Sequence, residues 1–211
     1  MSRSLPRGPH GLTREEVAAS QRARLLDAVV PLLAEKEWAD VTIADLVQGA
    51  RVSRAAFYEH FADKEACLLV SYDRWALGVL EAITLDVPQD GEWAVFIERS
   101  LHGYLAALQE DRTAALAFLV RMDGAGPQAR RRRREGAHGF AALLSERHAR
   151  LRELDPSLGP LPDAVFVGFT LGVRELVRER LEDQPDGDLA ELVPVLLTFL
   201  TALVQGASEA A

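Results

Sequence analysis

The chain has 211 residues, of which 48% are hydrophobic and 27% are charged, so it has the composition of a soluble globular protein and enough length for a substantial core. Its single cysteine, Cys67, excludes an internal disulfide framework and suits the reducing cytoplasm. The net charge of −8 argues against a protein that coats nucleic acid without sequence preference.

The charge is distributed unevenly along the chain. Residues 1–66 contain 9 Lys and Arg against 10 Asp and Glu, whereas residues 67–211 contain 15 against 22. Because the acidity lies mainly in the second part, the overall charge does not exclude a nucleic-acid site in the first.

Apolar residues recur at a helical spacing throughout, and strand-like alternation does not persist, so we predict an all-α protein of about nine helices. Residues 1–12 hold basic residues but no apolar run, which predicts a flexible arm and not a secretory signal. Thr13 and Glu16 form a capping-box pattern at the start of the first helix, which ends near Glu37. The next three predicted helices are 42–48, 53–60 and one that Asp63 caps and that runs to about residue 85.

A break at Pro88–Gly91 separates these helices from five more. We predict the five at about 92–109, 112–122, 128–154, 163–182 and 188–205. The uncharged stretch 192–208 approaches the length of a membrane span, but its polar residues and Pro194 favour a buried interface helix. Pro194 predicts either a kink or a later start of that helix.

The segment 42–64 predicts two short helices joined by a tight turn. Thr42 can cap the first, whose amides can also receive a phosphate, and Ser53 can cap the second. Phe57 and Phe61 are four residues apart, so they share a face and should point into the core. That arrangement turns Arg54, Ala55, Tyr58 and part of Ala56 outward.

These outward residues suit a major groove of DNA. Arg54 can pair with a guanine edge, and Ala55 and Ala56 permit close approach to a thymine methyl group. Phosphate contacts are expected from Tyr58, His60 and Lys64. The alternative is that the two helices only pack, as in many helical proteins that never touch DNA, with Tyr58 half-buried and Lys64 solvated.

The segment resembles the TetR-type transcriptional repressors over about residues 20–70. Thr42-Ile43, Val52-Ser53, Phe57-Tyr58, Phe61 and Lys64-Glu65 stand in register with that family's signature. One departure is Arg51, which stands where the family usually has glycine; it would be strained if the turn needs a positive φ, and it could reach a phosphate or base.

The resemblance implies a helix-turn-helix DNA-binding domain over residues 13–62 and an effector-binding and dimerisation domain over residues 63–211. It also implies a homodimeric, cytoplasmic repressor that binds a pseudo-palindromic operator in double-stranded DNA. A small effector would release the DNA by moving the fourth helix.

Two stretches, 164–173 and 192–204, are apolar almost all round and therefore must be covered on every side. We predict that they pair with their copies across a two-fold axis, although they could instead be the core of a monomer. The predicted dimer-interface residues are Val165, Phe169, Val173, Leu196, Phe199 and Leu203.

The effector is expected to be lipophilic, with an aromatic body or an acyl chain. Its candidate contacts combine aromatic residues with a few polar groups: Trp93, Phe96, His102, Tyr104, Phe118, Arg121, Met122, Phe140, Phe166 and Phe169. At helical spacing such aromatics line a core more often than a pocket. A regulator controlled by a protein partner, without a small-molecule effector, is the alternative.

Other chemistry finds little support. No catalytic constellation points to an enzyme, and we expect neither a cofactor nor a metal. Glu98 and His102 have the i, i+4 spacing of some metal ligands, but an ordinary surface pair fits them better. Arg130–Arg134 could hold an anion, yet five consecutive residues point to every side of a helix, so a solvated helix start is favoured.

Overall fold

The structure is a computed structural model that describes residues 13–84, 92–156 and 158–209, with side chains described as far as Leu203. The described residues form nine α-helices and no strand. They are α1 (Arg14–Glu35), α2 (Ile43–Ala50), α3 (Arg54–His60), α4 (Lys64–Thr84), α5 (Trp93–Glu110), α6 (Arg112–Ala115), α7 (Pro127–Leu154), α8 (Asp163–Asp183) and α9 (Val193–Glu209). The predicted all-α class is confirmed. The predicted arm and the break after α4 lie outside the described residues.

The chain divides into two compact units, and the division falls within α4. The first unit comprises the residues up to Trp75 together with Thr113–Arg130, and the second comprises Ala76–Arg112 and the residues from Arg131 onward. This division differs from the predicted boundary between residues 62 and 63.

The first half of α4 belongs with the N-terminal helices because it bonds to α1. The Ser71 hydroxyl donates to the Leu26 carbonyl at 2.9 Å, and Arg74 pairs with Asp27 at 2.6 Å. Cys67 is fully buried between these contacts, and burial raises the pKa of its thiol to about 12. Its environment therefore gives Cys67 the role of a packing residue.

The sixth predicted helix is wrong in its geometry. Only Arg112–Ala115 is α-helical; Leu116–Val120 forms a π-helical turn and Arg121–Ala125 a 3₁₀ turn. Three consecutive residues of the π turn are buried, namely Ala117, Phe118 and Leu119. A regular helix would spread these side chains over more than half of its circumference, whereas the wider π turn directs them into one core.

In the second unit, α5, α7, α8 and α9 pack around an apolar centre. Phe169 of α8 lies 6.0 Å from Phe199 of α9, between ring centroids. Gly172 is required at this crossing, because a Cβ there would lie 2.7 Å from the Phe199 ring. A 3₁₀ turn, Leu189–Leu192, precedes α9, so Pro194 occupies the second position of the helix and the predicted later start is confirmed. No helix among the described residues is long and apolar enough to cross a membrane.

Candidate nucleic-acid interface

The start of α2 is fixed by a complete capping box. The Thr42 hydroxyl accepts from the Asp45 amide at 3.2 Å, and the Asp45 carboxylate accepts from the Thr42 amide at 2.8 Å. Lys36 adds an ion pair to the same carboxylate at 3.0 Å. The Thr42 amide and then Lys36 hold the pKa of Asp45 down at about 2. Thr42 itself stays exposed at the helix N-terminus.

The turn between α2 and α3 depends on a strained residue. Arg51 has φ 53° and ψ 47°, which is the left-handed conformation, and it is the one non-glycine residue with positive φ among the described residues. The sequence-based expectation of a positive φ at this position is therefore confirmed. Arg24 of α1 stabilises the turn, since its guanidinium donates to the carbonyls of Ala50 at 2.9 Å and Arg51 at 3.1 Å.

Helix α3 has one buried and one exposed face, and Ser53 caps it by accepting from the Ala56 amide at 3.0 Å. Phe57 and Phe61 are buried, as predicted. The opposite face, defined here as the α3 reading face, consists of Arg54, Ala55 and Tyr58, all exposed. Arg54 lies over the Tyr58 ring, 5.8 Å from its centroid, so the two side chains support each other at the surface.

Three predicted contact residues do not fit the roles assigned to them. Ala56 is only 6% exposed, because it packs on the same side as Phe57, so it cannot meet a thymine methyl group. His60 is half-buried, and its Nε2 atom is covered. Lys64 donates from Nζ to the carbonyls of Trp38 and Val41, both at 2.8 Å, so its charge stabilises the end of a 3₁₀ turn, Trp38–Asp40, instead of standing ready for phosphate.

The predicted effector residues fall into both units. Phe118, Arg121 and Met122 lie in the first unit, where Phe118 packs against Trp75 and Arg121 pairs with Glu37 at 3.7 Å. The other seven lie in the second unit: Trp93, Phe96, His102, Tyr104, Phe140, Phe166 and Phe169. Among these, Phe96 and Phe140 line a groove of about 170 Å³, whereas His102 is exposed.

The predicted dimer-interface residues point largely inward. Phe169, Val173 and Leu196 are buried within the single chain, so they cannot supply an interface, and the prediction is wrong for these three. Val165, Phe199 and Leu203 are half-buried. The sequence could not give the rotation of α8 and α9, because both helices are apolar on several sides.

Arg24 and Lys36 were missed as contributors to this site. Both act through backbone or capping groups 26 and 9 residues away, respectively, and a sequence shows no periodicity for such contacts. The Thr42-x-x-Asp45 spacing was the one available signal, since it is a capping-box pattern.

The fold and the site together define a helical protein of the helix-turn-helix class. Residues 25–70 match the family model described as bacterial regulatory proteins, tetR family. Over 96 residues the chain is 33% identical to the HTH-type transcriptional regulator EthR of Mycobacterium tuberculosis, which covers 43% of this chain and 44% of the relative. The chain is a member of the tetR family.

Solved structures extend the likeness of fold over most of the chain. The fatty acid degradation regulator FadR from Bacillus halodurans has a TM-score of 0.73 at 16% identity, covering 93% of this chain and 96% of that one. FadR from Bacillus subtilis in complex with stearoyl-CoA has a TM-score of 0.74 at 17% identity, covering 84% and 96%. The match to EthR spans less than half of that relative's length.

Proposed function

We propose that this chain is a ligand-responsive transcriptional repressor that binds a pseudo-palindromic operator as a homodimer. The observation that carries the proposal is the α3 reading face: Arg54, Ala55 and Tyr58 are exposed on a short helix whose opposite face is anchored by buried Phe57. A helix that is held rigidly and that presents a cation and a small residue at its N-terminal end suits the major groove.

Each exposed residue of the site has a distinct role in this proposal. Arg54 reads a guanine edge with its guanidinium fork, and Ala55 allows the helix to approach the base pairs. Tyr58 donates its hydroxyl to a phosphate, and the capped N-terminus of α2 at Thr42 presents amides to another. Arg51, exposed in the turn, supplies a further cation to the backbone, which fixes register and not sequence.

The homodimer forms, in this proposal, through the outer sides of α8 and α9. Leu171 is 44% exposed and Val195 is 50% exposed, and small exposed residues accompany them, namely Ala164, Gly168 and Ala202. These residues replace the buried ones predicted from the sequence, because only an exposed apolar side chain gains from burial against a copy. Two copies place two reading faces on successive major grooves, about one helical turn apart.

An effector that binds the second unit is proposed to weaken DNA binding. Support comes from the structurally similar FadR of Bacillus subtilis, which was solved with stearoyl-CoA, and from the groove beside Phe96 and Phe140. Because α4 contributes residues to both units, a shift of that helix would carry a signal from one to the other. The effector must bind the DNA-free state more tightly than the DNA-bound state.

Selection of bound sequences from a random DNA pool tests the repressor proposal. We expect enrichment of an inverted repeat whose half-sites are about one helical turn apart. Variant Arg54→Ala should select a repeat with one position per half-site relaxed. Recovery of unenriched DNA with the wild-type protein would refute sequence-specific binding.

A further inference from the structure

Four polar side chains are buried in the part of the chain that the structure describes: Ser71, Ser100, His148 and Thr170. Ser71, in the first unit, donates to the Leu26 carbonyl. The other three are at least 94% buried, all in the second unit, and Ser100 Oγ, His148 Nε2 and Thr170 Oγ1 have no hydrogen-bond partner among the described residues. A buried polar atom without a partner is costly, so three in one unit require an explanation.

The two hydroxyls point away from their own helices. Serine and threonine within helices commonly donate to the carbonyl four residues earlier. Thr84, Thr198 and Thr201 do so here, at 3.1, 2.9 and 2.8 Å. Ser100 and Thr170 form no such bond, although both lie inside helices and are buried. Their hydroxyls are therefore directed into the interior of the unit.

Helical register places these two hydroxyls close together along the unit. Helices α5 and α8 run parallel, because Trp93 lies beside Phe166 at 6.3 Å and Gln109, near the other end of α5, accepts from the Leu189 amide just beyond α8. Ser100 is seven residues after Trp93, and Thr170 is four after Phe166. At 1.5 Å per residue they lie about 10 and 6 Å along the same direction, on the faces that carry those aromatics.

The third unpartnered group, His148, lies at the start of this interior row. Its ring is 4.9 Å from Trp93 and 5.5 Å from Phe166, between centroids. Burial lowers the pKa of His148, and the nearby Arg152 lowers it further, so the imidazole is neutral at pH 7. A neutral imidazole offers one N–H donor and one acceptor.

The groove lies against the same aromatic wall. Phe96, which lines the groove, stacks on Trp93 at 5.5 Å, and Leu144, also in the lining, precedes His148 by one turn of α7. The groove holds about 170 Å³, less than a pocket for a drug-sized molecule. A small rotation of the Trp93–Phe96 pair would join it to the row of polar atoms.

We propose that the second unit binds a small neutral molecule between α5, α7 and α8. The molecule has an aromatic or aliphatic body, packed against Trp93 and Phe166, and a hydroxyl or carbonyl group that bonds to Ser100, His148 and Thr170. Two hydroxyls and a neutral imidazole supply donors and acceptors but no charge, so an ionised group there would lack a counter-charge. That this molecule acts as the effector rests on the proposed function.

Two isosteric variants give opposite signs for stability and for binding. Ser100→Ala and Thr170→Val remove an unpartnered hydroxyl, so we expect each to raise the melting temperature of the ligand-free protein by about 2–4 °C. Ser71→Ala, the matched control, removes a bonded hydroxyl and should lower it. A fall in the melting temperature with Ser100→Ala and Thr170→Val would show that both hydroxyls are already satisfied, and would overturn the proposal.

Binding is measured with 2-phenylethanol and, as its counterpart without the hydroxyl, ethylbenzene. We expect 2-phenylethanol to shift the imidazole NMR signals of His148, and Ser100→Ala and Thr170→Val to weaken its affinity roughly two- to tenfold. Ethylbenzene should bind the wild type and both variants equally. Unshifted His148 signals, or an affinity for 2-phenylethanol that neither variant changes, would overturn the proposal.

Both measurements use the full-length protein without DNA, so they do not depend on the proposed operator. If 2-phenylethanol binds as expected but leaves DNA affinity unchanged, the site stands and its effector role is refuted. If no DNA sequence is selected at all, the repressor proposal fails while the binding result remains.

Discussion

Arg54 is the residue on which sequence recognition rests in this account. Replacing it with alanine should cost about 1–3 kcal/mol on the matched operator and remove the preference at one base pair of each half-site. The measurement is affinity by fluorescence anisotropy on matched and singly substituted operators. Arg152→Ala, at an exposed arginine of the second unit, is the control and should leave both affinities unchanged. Equal losses on all operators would mean that Arg54 contacts only phosphate.

Arg51 combines backbone strain with an exposed charge, and two substitutions separate them. Arg51→Gly should raise the free energy of unfolding by about 1 kcal/mol, since glycine adopts the left-handed conformation without steric cost. Arg51→Ala keeps the strain and should not stabilise. Both should weaken DNA binding equally and reduce its salt dependence if the side chain contacts phosphate. Urea unfolding and a salt titration measure the two effects.

At the scale of single residues, the sequence predicted burial well and hydrogen bonding poorly. The inward Phe57 and Phe61 and the strained Arg51 followed from helical spacing and from the glycine expected in the turn. Lys64 could not be assigned correctly, because its partners are carbonyls more than 20 residues earlier in the chain. Ala56 was misjudged because a short helix rotates by a fraction of a turn depending on its packing.

At the scale of elements, Lys64 joins α4 to the 3₁₀ turn that precedes α2. Lys64→Met keeps the aliphatic stem but removes the hydrogen bonds to the Trp38 and Val41 carbonyls. We expect a loss of about 1.5–3 kcal/mol in the free energy of unfolding, as for hydrogen bonds to a charged group. The salt dependence of DNA binding should stay that of the wild type. A reduced slope would return Lys64 to the phosphate contacts.

The capping box of α2 predicts a pH dependence with a definite sign. The pKa of Asp45 is lowered from its usual 3.8 to about 2 in the folded protein, so its contribution to stability is present above pH 3.8 and is lost as the pH falls toward 2. Asp45→Asn should be less stable than the wild type at pH 6, and the difference should shrink across that window. Urea unfolding followed by circular dichroism from pH 6 to 2 measures it. A constant difference would contradict the role of the charge.

Eight of the nine predicted helices lie where periodicity placed them, within a few residues at each end, because caps and prolines mark their limits. The exception is the segment after Arg112, where a π turn and a 3₁₀ turn replace the expected helix. Its apolar run, Ala114–Phe118, is equally compatible with α and π geometry. Only the surrounding core decides between them, and sequence periodicity does not show that core.

At the scale of the whole molecule, the proposed dimer depends on the outer sides of α8 and α9. Leu171→Arg and Val195→Arg should convert the homodimer to a monomer and weaken operator binding, because two linked reading faces bind far more tightly than one. Leu154→Arg, at a residue that is 70% exposed on α7, is the control. Sedimentation velocity gives the oligomeric state. Dimers that persist in both variants would place the interface elsewhere.

Directed cleavage of DNA from α3 tests the central claim, that the α3 reading face of two copies enters successive major grooves. Cys67 is fully buried, so a cysteine introduced by Ala55→Cys can be labelled alone with an iron chelate. The account predicts two clusters of cleavage on the selected operator, about one helical turn apart, and none from the same label at Leu154→Cys. A single cluster, dispersed cleavage, or equal cleavage from both positions would contradict it.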